Sequence, residues 1–289
     1  MIYVFGSILC GAYLILFFKV IERLGIPNLQ AIIVNYMACV ACGLLFNKAS
    51  MPMSGLVNMD WFYWALVLGL CFIVGFNLIG YTVQKAGVTP ASVASKLSMI
   101  VSVPITIWLF NDSITAYKII GLLFAVMAVV FSSIKEGDSW EQATKHLVLP
   151  GIVLAISGII EIIISYNQKN GLAPEYFAQF LTISFGFAAM LGWIYFIYIK
   201  LRTKVTFHPK AWLTGVLLGV PNYFSLYFFL EAFNTSGWPA SVLLPVCNIG
   251  VLLTSTILGW VLFKDKLSTI NIVGLGLSLV AIYLLAFSL

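Results

Sequence analysis

Long apolar stretches separated by short polar connections run along the whole chain. A helix needs roughly 20 apolar residues to cross the hydrocarbon core of a bilayer. Stretches of about this length lie at residues 2–22, 28–46, 61–84, 88–110, 113–133, 148–168, 175–199, 211–232, 237–263 and 267–288. The pattern therefore predicts an all-α membrane protein with ten transmembrane helices, numbered below as spans 1 to 10.

The second half of the chain repeats features of the first. Pro90-Ala91-Ser92-Val93 at the start of span 4 matches Pro239-Ala240-Ser241-Val242 at the start of span 9. At the ends of these spans, Leu109-Phe110-Asn111-Asp112 corresponds to Leu262-Phe263-Lys264-Asp265. Each copy opens with glycine and then proline, which suits the first turn of a helix because the missing N–H has no partner there. The two halves are therefore predicted to be copies of one unit.

Small residues recur at matching places in spans 3 and 8. Ala65 and Gly69 have the same four-residue spacing as Gly215 and Gly219. This spacing lets two helix backbones approach closely inside a membrane. We expect these faces to be helix–helix contacts.

Five helices per copy give the two copies opposite orientations in the membrane, because an odd number of crossings inverts the second copy. We predict a first repeat at residues 1–135, a connecting loop at 136–145 and a second, inverted repeat at 146–289. Inverted repeats are typical of carriers that bind their substrate between the repeats near the middle of the bilayer. A duplication that serves stability alone is the alternative.

Composition supports the membrane assignment. Of 289 residues, 62% are hydrophobic and 9% are charged, whereas a soluble domain carries about 25% charged residues. The net charge of +5 is therefore interpreted as loop charge and not as a nucleic-acid-binding surface. The five cysteines lie in apolar stretches and are odd in number, which favours buried free thiols over disulfides. We expect no metal ion and no cofactor.

Basic residues predict the orientation. Lys48, Lys118 and Lys169 lie on the side that holds both termini. The opposite side holds the larger set, Lys19, Arg23, Lys85, Lys135, Lys145, Lys200, Arg202, Lys204, Lys210, Lys264 and Lys266. By the positive-inside rule both termini are then outside the cytoplasm.

Two charged residues lie inside predicted spans, where an ionisable side chain is expensive and usually functional. Lys96 is near the middle of span 4 and Glu161 is near the middle of span 6. An ammonium group at this depth favours a carboxylate or phosphate on the substrate, although a structural ion pair or a snorkelling lysine is the alternative. Glu161 could bind protons or a cationic substrate, or it could neutralise Lys96.

Uncharged polar side chains gather in the same spans and are predicted to form a hydrogen-bonding wall around the substrate. Singly, such a residue more often holds two helices together than binds a ligand. The candidates are Asn35 in span 2, Asn77 and Tyr81 in span 3, Asn222, Tyr223 and Tyr227 in span 8, and Asn248 in span 9.

These features together resemble the EamA-type ten-helix carriers of the drug/metabolite transporter superfamily. The resemblance rests on residues 81–92 (YTVQKAGVTPAS) and 109–121, and on residues 229–246 and 262–274. It implies alternating access around a central cavity lined mainly by spans 1, 3, 4, 6, 8 and 9, with spans 5 and 10 at the periphery.

The chain departs from the family pattern at three points. Asp112 and Asp265 stand where glutamate is usual, and Met99 stands where span 4 usually has proline. The family also leads one to expect cytoplasmic termini, against the charge count.

The predicted function is secondary-active transport of a small polar metabolite, such as an amino acid or an organic anion, across the cytoplasmic (inner) membrane. The motifs HExxH, GxSxG and the Walker phosphate loop are missing, so we do not expect an enzyme. Coupling to protons or to a counter-substrate, and a monomeric or homodimeric state, are left open. The alternative function is that of an intramembrane enzyme or a lipid-handling protein.

Overall fold

The computed structural model describes residues 1–46, 53–98, 101–102, 104–105, 115–133, 140–170, 172–236, 240–264 and 268–286. In these ranges the regular structure is helical. The α-helices are α1 (Ile2–Arg23), α2 (Asn28–Phe46), α3 (Met53–Leu56), α4 (Trp61–Ala86), α5 (Val88–Lys96), α6 (Ala116–Ser133), α7 (Trp140–Lys169), α8 (Phe177–Thr203), α9 (Lys210–Thr235), α10 (Ala240–Phe263) and α11 (Thr269–Ala286). A short 3-10 helix, Pro174–Tyr176, leads into α8.

Most helix boundaries follow the hydropathy pattern closely. α1, α2 and α4 begin at the residues predicted for spans 1, 2 and 3, and α6 ends at the residue predicted for span 5. The correction concerns the connecting loop, which we placed at 136–145. Residues 140–145 are helical and extend the start of α7, and the helix continues through Pro150 into its apolar portion. The repeat motifs at Pro239, 109–112 and Asp265, and Met99, lie outside the described residues.

Seven of the described helical segments are long and apolar enough to cross a membrane. They are α1, α2, α4, residues Leu147–Gln168 of α7, α8 with its leading 3-10 turn, α9, and residues Val246–Phe263 of α10. Shorter apolar segments lie in α6 and α11. The chain is thus an all-α, multi-pass membrane protein.

The helices pack in a regular set of neighbours. α6 packs against α11, α2 against α8, and α5 against α10. α4 contacts α8 and α7, while α9 contacts α2 and α1. α1 also packs on α10, and α7 also packs on α5. Six helices therefore surround a common centre. They are α1, α4, α5, α7, α9 and α10.

Glycines permit the closest of these contacts, as their spacing predicted. A Cβ atom added at Gly69 of α4 would lie 2.5 Å from the backbone oxygen of Ser184 in α8. In α9, one added at Gly215 would lie 2.8 Å from the backbone oxygen of Ala31 in α2, and one at Gly219 would collide with the backbone oxygen of Asn35. The prediction of close helix contacts at these glycines is confirmed.

Candidate functional site

A cavity of about 180 Å³ lies at the common centre of six helices. This exceeds the roughly 10–15 Å³ that one water molecule needs, so a small solute can fit. Most of its wall is apolar, and its polar lining residues are Ser7 of α1, Ser95 and Lys96 of α5, Ser157, Glu161 and Ser165 of α7, Asn222 and Ser225 of α9, and Cys247 and Asn248 of α10.

Lys96 reaches the cavity from the end of a short helix. α5 starts after Gly87, whose φ of 103° suits glycine and breaks the chain away from α4. It stops after Lys96, where the Leu97 N–H still bonds to the Val93 oxygen at 2.8 Å. Helical conformation returns at residues 101–102 and 104–105. Lys96 thus lies at a helix C-terminus, whose partial negative charge favours a cation.

Glu161 is held by two hydroxyl groups. Ser98 donates a hydrogen bond to Oε1 at 2.6 Å, and Ser102 donates one to Oε2 at 2.9 Å. Both serines lie just after α5, whereas Glu161 lies on α7. The carboxylate is therefore fixed in place with a donor at each oxygen.

The contact that brings these serines to Glu161 depends on Gly158, one helical turn earlier in α7. A Cβ atom at Gly158 would lie 2.6 Å from Cβ of Val101 and 3.0 Å from the backbone oxygen of Ser98. Because glycine has no side chain, the segment after α5 can lie directly on the backbone of α7.

Lys96 and Glu161 interact electrostatically across the cavity, but no ion pair within 4.0 Å joins them. The ammonium group of Lys96 also has no hydrogen-bond partner among the residues that the structure describes. It is partly buried. The site therefore holds one anchored anion and one cation without a direct partner.

Asn248 supplies a second unused donor. Its side chain is 6% exposed and lines the cavity. Within the described parts of the chain, its Nδ2 makes no hydrogen bond of 3.5 Å or less, and its amide lies near enough to interact with the Glu161 carboxylate. Its neighbour Cys247 interacts electrostatically with Lys96, which brings α10 and the end of α5 to the same part of the cavity.

Asn222 of α9 also lines the cavity, and its side chain already makes a hydrogen bond within the protein. Its Nδ2 donates to Oδ1 of Asn35 at 3.1 Å, and its backbone oxygen accepts from Ser225 Oγ at 2.9 Å. Ser7 Oγ in turn donates to the Ser225 oxygen at 3.0 Å. These bonds join α1, α2 and α9.

The other predicted site residues lie away from the cavity. Asn35 is buried between α2 and α9. Asn77 Nδ2 donates to the oxygen of Ile73 in its own helix at 2.7 Å. Tyr81 is 46% exposed, with the Lys85 ammonium over its ring. Tyr223 and Tyr227 stack on each other with ring centroids 5.8 Å apart. None of these five is in the cavity wall, and a binding role for them stays a prediction.

Sequence reasoning missed the serines that lie near Glu161. Ser157, Glu161 and Ser165 follow one another at intervals of four residues, so they share one face of α7. Ser98 and Ser102 have the same spacing. That periodic polar face was the available signal.

One CxxC spacing, Cys39-Val40-Ala41-Cys42, lies in α2. All five cysteines are free thiols, and four of them are buried. The Cys39 thiol donates to the Gly219 oxygen at 3.3 Å, so it links α2 to α9. Among the described residues no three His, Cys, Asp or Glu side chains are grouped so that they could hold a metal ion.

Comparison with known proteins supports the fold and leaves the function open. No protein-family model matches the chain. The sequence is 28% identical to an uncharacterized protein of Haemophilus influenzae, over 97% of this chain and 96% of that protein. A protein solved by crystallography superposes with a TM-score of 0.64 at 14% identity, covering 98% of this chain and 94% of the other. The likeness shows that the two proteins share a fold.

Proposed function

We propose that the protein is a secondary-active transporter of a small polar metabolite and belongs to the EamA-type carriers. The observation that carries the proposal is a central cavity in a multi-pass membrane protein, faced by a lysine without a direct charge partner. A charged side chain at this position would be costly in a protein that only packs. A role in binding and releasing a solute would explain why a charged side chain is kept at this position despite its free-energy cost.

The identity of the cavity-lining helices supports this assignment. The six helices α1, α4, α5, α7, α9 and α10 overlap the predicted spans 1, 3, 4, 6, 8 and 9 respectively. These are the spans that the resemblance to EamA carriers implies for the substrate cavity. α6 and α11 pack together, and none of their described side chains lines the cavity, as that resemblance implies for spans 5 and 10.

The packing also supports ten spans in two inverted repeats. If each helix of the first half is exchanged with its counterpart in the second half, the pair α4–α8 becomes the pair α9–α2, and both pairs are in contact. In the same way the pair α1–α9 becomes α7–α4, and the pair α1–α10 becomes α7–α5. All four of these pairs are also in contact. α5, α6 and α2 contact their own counterparts α10, α11 and α8. A pseudo-twofold axis through the cavity would produce this pattern.

In this proposal the two repeats rock about the cavity and expose it alternately to each side of the membrane. Lys96 binds the substrate, and Glu161 is the candidate coupling group. The break after α5 places both groups at one junction, since Lys96 ends the helix and Ser98 begins the segment that binds Glu161. A change in the state of either group can therefore alter the contact between α5 and α7.

Uptake into proteoliposomes tests the function. Solutes are first identified by a thermal-shift screen against metabolite pools, because a bound ligand raises the apparent melting temperature. The wild type and Lys96→Met are then compared for uptake of each hit. Lys200→Met is the matched control, since Lys200 is exposed at the end of α8.

Loss of uptake in Lys96→Met, with normal uptake in Lys200→Met, is expected. Uptake that is the same in all three proteins would remove Lys96 from the site. An activity that consumes a compound in detergent, where no gradient exists, would instead favour the intramembrane enzyme.

A further inference from the structure

Of the two charged side chains in the cavity wall, Glu161 has direct hydrogen-bond partners and Lys96 has none among the described residues. Both carboxylate oxygens of Glu161 accept a hydroxyl hydrogen bond. The ammonium of Lys96 has neither a hydrogen bond nor an ion pair within 4.0 Å among the described residues. A charge away from bulk water is stabilised when an opposite charge binds it directly. An anion bound in the cavity would therefore supply the direct counterion that the Lys96 ammonium lacks.

The free donor of Asn248 strengthens this conclusion. Its Nδ2 is buried and makes no hydrogen bond of 3.5 Å or less in the described structure, and an amide nitrogen can only donate. A buried donor without a partner carries a free-energy cost that a ligand acceptor can remove. Lys96 and Asn248 come from α5 and α10, which pack against each other. A carboxylate has two acceptor oxygens and can serve both donors.

Other polar groups in the wall do not demand a second charged group on the ligand. Asn222, Ser225 and Ser7 use their hydrogen bonds within the protein. Ser95, Ser157 and Ser165 also face the cavity, but a hydroxyl can either donate or accept and does not select a sign of charge.

Aromatic and aliphatic side chains cover the rest of the cavity. Phe72 and Phe76 of α4, Phe18 of α1 and Phe229 of α9 are part of the wall. The hydroxyl groups of a sugar or polyol would lose their water against such a surface without gaining partners. An apolar body would gain from burial there.

We infer that the ligand of this cavity is a small organic monoanion with an apolar body, its anionic group bound between Lys96 Nζ and Asn248 Nδ2. A carboxylate is the simplest such group. The inference rests on the proposed function for its biological meaning, but it concerns binding and can be tested without transport.

Four compounds that share a phenylalkyl skeleton test the sign of charge. They are phenylpropanoate as the anion, phenylpropanamide as the neutral compound, phenethylamine as the cation and phenylalanine as the zwitterion. Binding to the purified full-length protein in detergent is measured by thermal shift and by calorimetry, with acetate, butanoate and hexanoate as shorter anions. We expect phenylpropanoate to bind at least about tenfold more tightly than the amide, and the amine to be weakest.

Variants assign the two donors. Lys96→Met and Asn248→Leu should each weaken phenylpropanoate binding by about tenfold or more. Lys96→Arg keeps the charge and should retain much of the affinity, and Lys200→Met should bind as the wild type does. If Lys96→Met does not fold, Lys96→Arg and Asn248→Leu still decide the assignment.

Tighter binding of phenethylamine or phenylalanine than of phenylpropanoate would overturn the inference. So would the failure of every carboxylate in the series to bind at millimolar concentration. The proposed function is tested separately by uptake of the bound compounds. If a carboxylate binds at Lys96 but is never transported, the proposed transport function is wrong and the anion site stands. If amines are transported, the transport function stands and the anion site is wrong.

Discussion

The hydroxyl group of Ser98 lies 2.6 Å from Oε1 of Glu161 and donates a hydrogen bond across the contact between the end of α5 and α7. Ser102 donates to the other oxygen. These two bonds hold the carboxylate beside the cavity and join it to the segment that carries Lys96. A conformational change at this contact would therefore reach both charged groups.

Replacement of Ser98 by alanine should destabilise the protein, because a hydrogen bond to a charged group is lost. We expect Ser98→Ala to lower the free energy of unfolding by about 1–2 kcal/mol, and Ser98→Ala with Ser102→Ala to lower it further. The measurement is the thermal melting of purified protein in detergent.

Ser278→Ala is the matched control. Ser278 is also buried, but among the described residues its hydroxyl bonds only to the Leu275 oxygen of its own helix, α11. A smaller loss is expected there. Equal losses in Ser98→Ala and Ser278→Ala would indicate that the bond to Glu161 contributes no more to the free energy of unfolding than a bond within one helix.

Two glycines of α7 should respond in opposite ways to alanine. Gly158→Ala should destabilise by about 1–3 kcal/mol, because its Cβ would meet Val101 and the backbone of Ser98. Gly151→Ala meets nothing within 4 Å and should stabilise by up to about 1 kcal/mol through helix propensity. Melting temperatures measure both, and a Gly158→Ala protein as stable as the wild type would refute the close contact.

The glycine contacts of α4 and α9 should behave alike if the two halves are copies of one unit, as we propose. Gly69→Ala would push against the backbone of Ser184, and Gly219→Ala against that of Asn35. Each should lose about 1–3 kcal/mol of stability. Gly276→Ala in α11, with nothing within 4 Å, is the control. A loss at only one of the two contacts would argue against equivalent interfaces.

The number of spans predicts where the termini lie. Ten crossings place both termini on one side, and the charge count puts that side outside the cytoplasm. A C-terminal alkaline phosphatase fusion should then be active and a C-terminal green fluorescent protein dark, while an N-terminal epitope should react with antibody on spheroplasts. Termini on opposite sides would contradict ten spans, and two cytoplasmic termini would contradict the charge count alone.

Apart from α5, which ends at Lys96 inside the stretch predicted for span 4, most helix boundaries could be predicted from the sequence, because hydropathy over about 20 residues determines which segments enter a membrane. The boundaries of α1 and α2 illustrate this. The extension of α7 to Trp140 could not, because residues 140–145 are too polar to count as part of an apolar stretch.

The candidate site was only partly predictable. Lys96 and Glu161 stand out because a charge in an apolar stretch is rare, and Asn222 and Asn248 also reach the cavity. Asn77 and Tyr223 carry the same polar signal but face elsewhere. In helices that are apolar on all sides, hydropathy does not give the rotation about the helix axis.

The most direct test of the central claim uses Cys247, which lines the cavity. In a variant that keeps Cys247 and replaces the other four cysteines by alanine, a membrane-impermeant thiol reagent is applied to each face of sealed, uniformly oriented vesicles. A variant that keeps only Cys71, which is buried outside the cavity wall, is the control and should not react. Alternating access predicts that Cys247 reacts from both faces; reaction from one face only, or from neither, would contradict it.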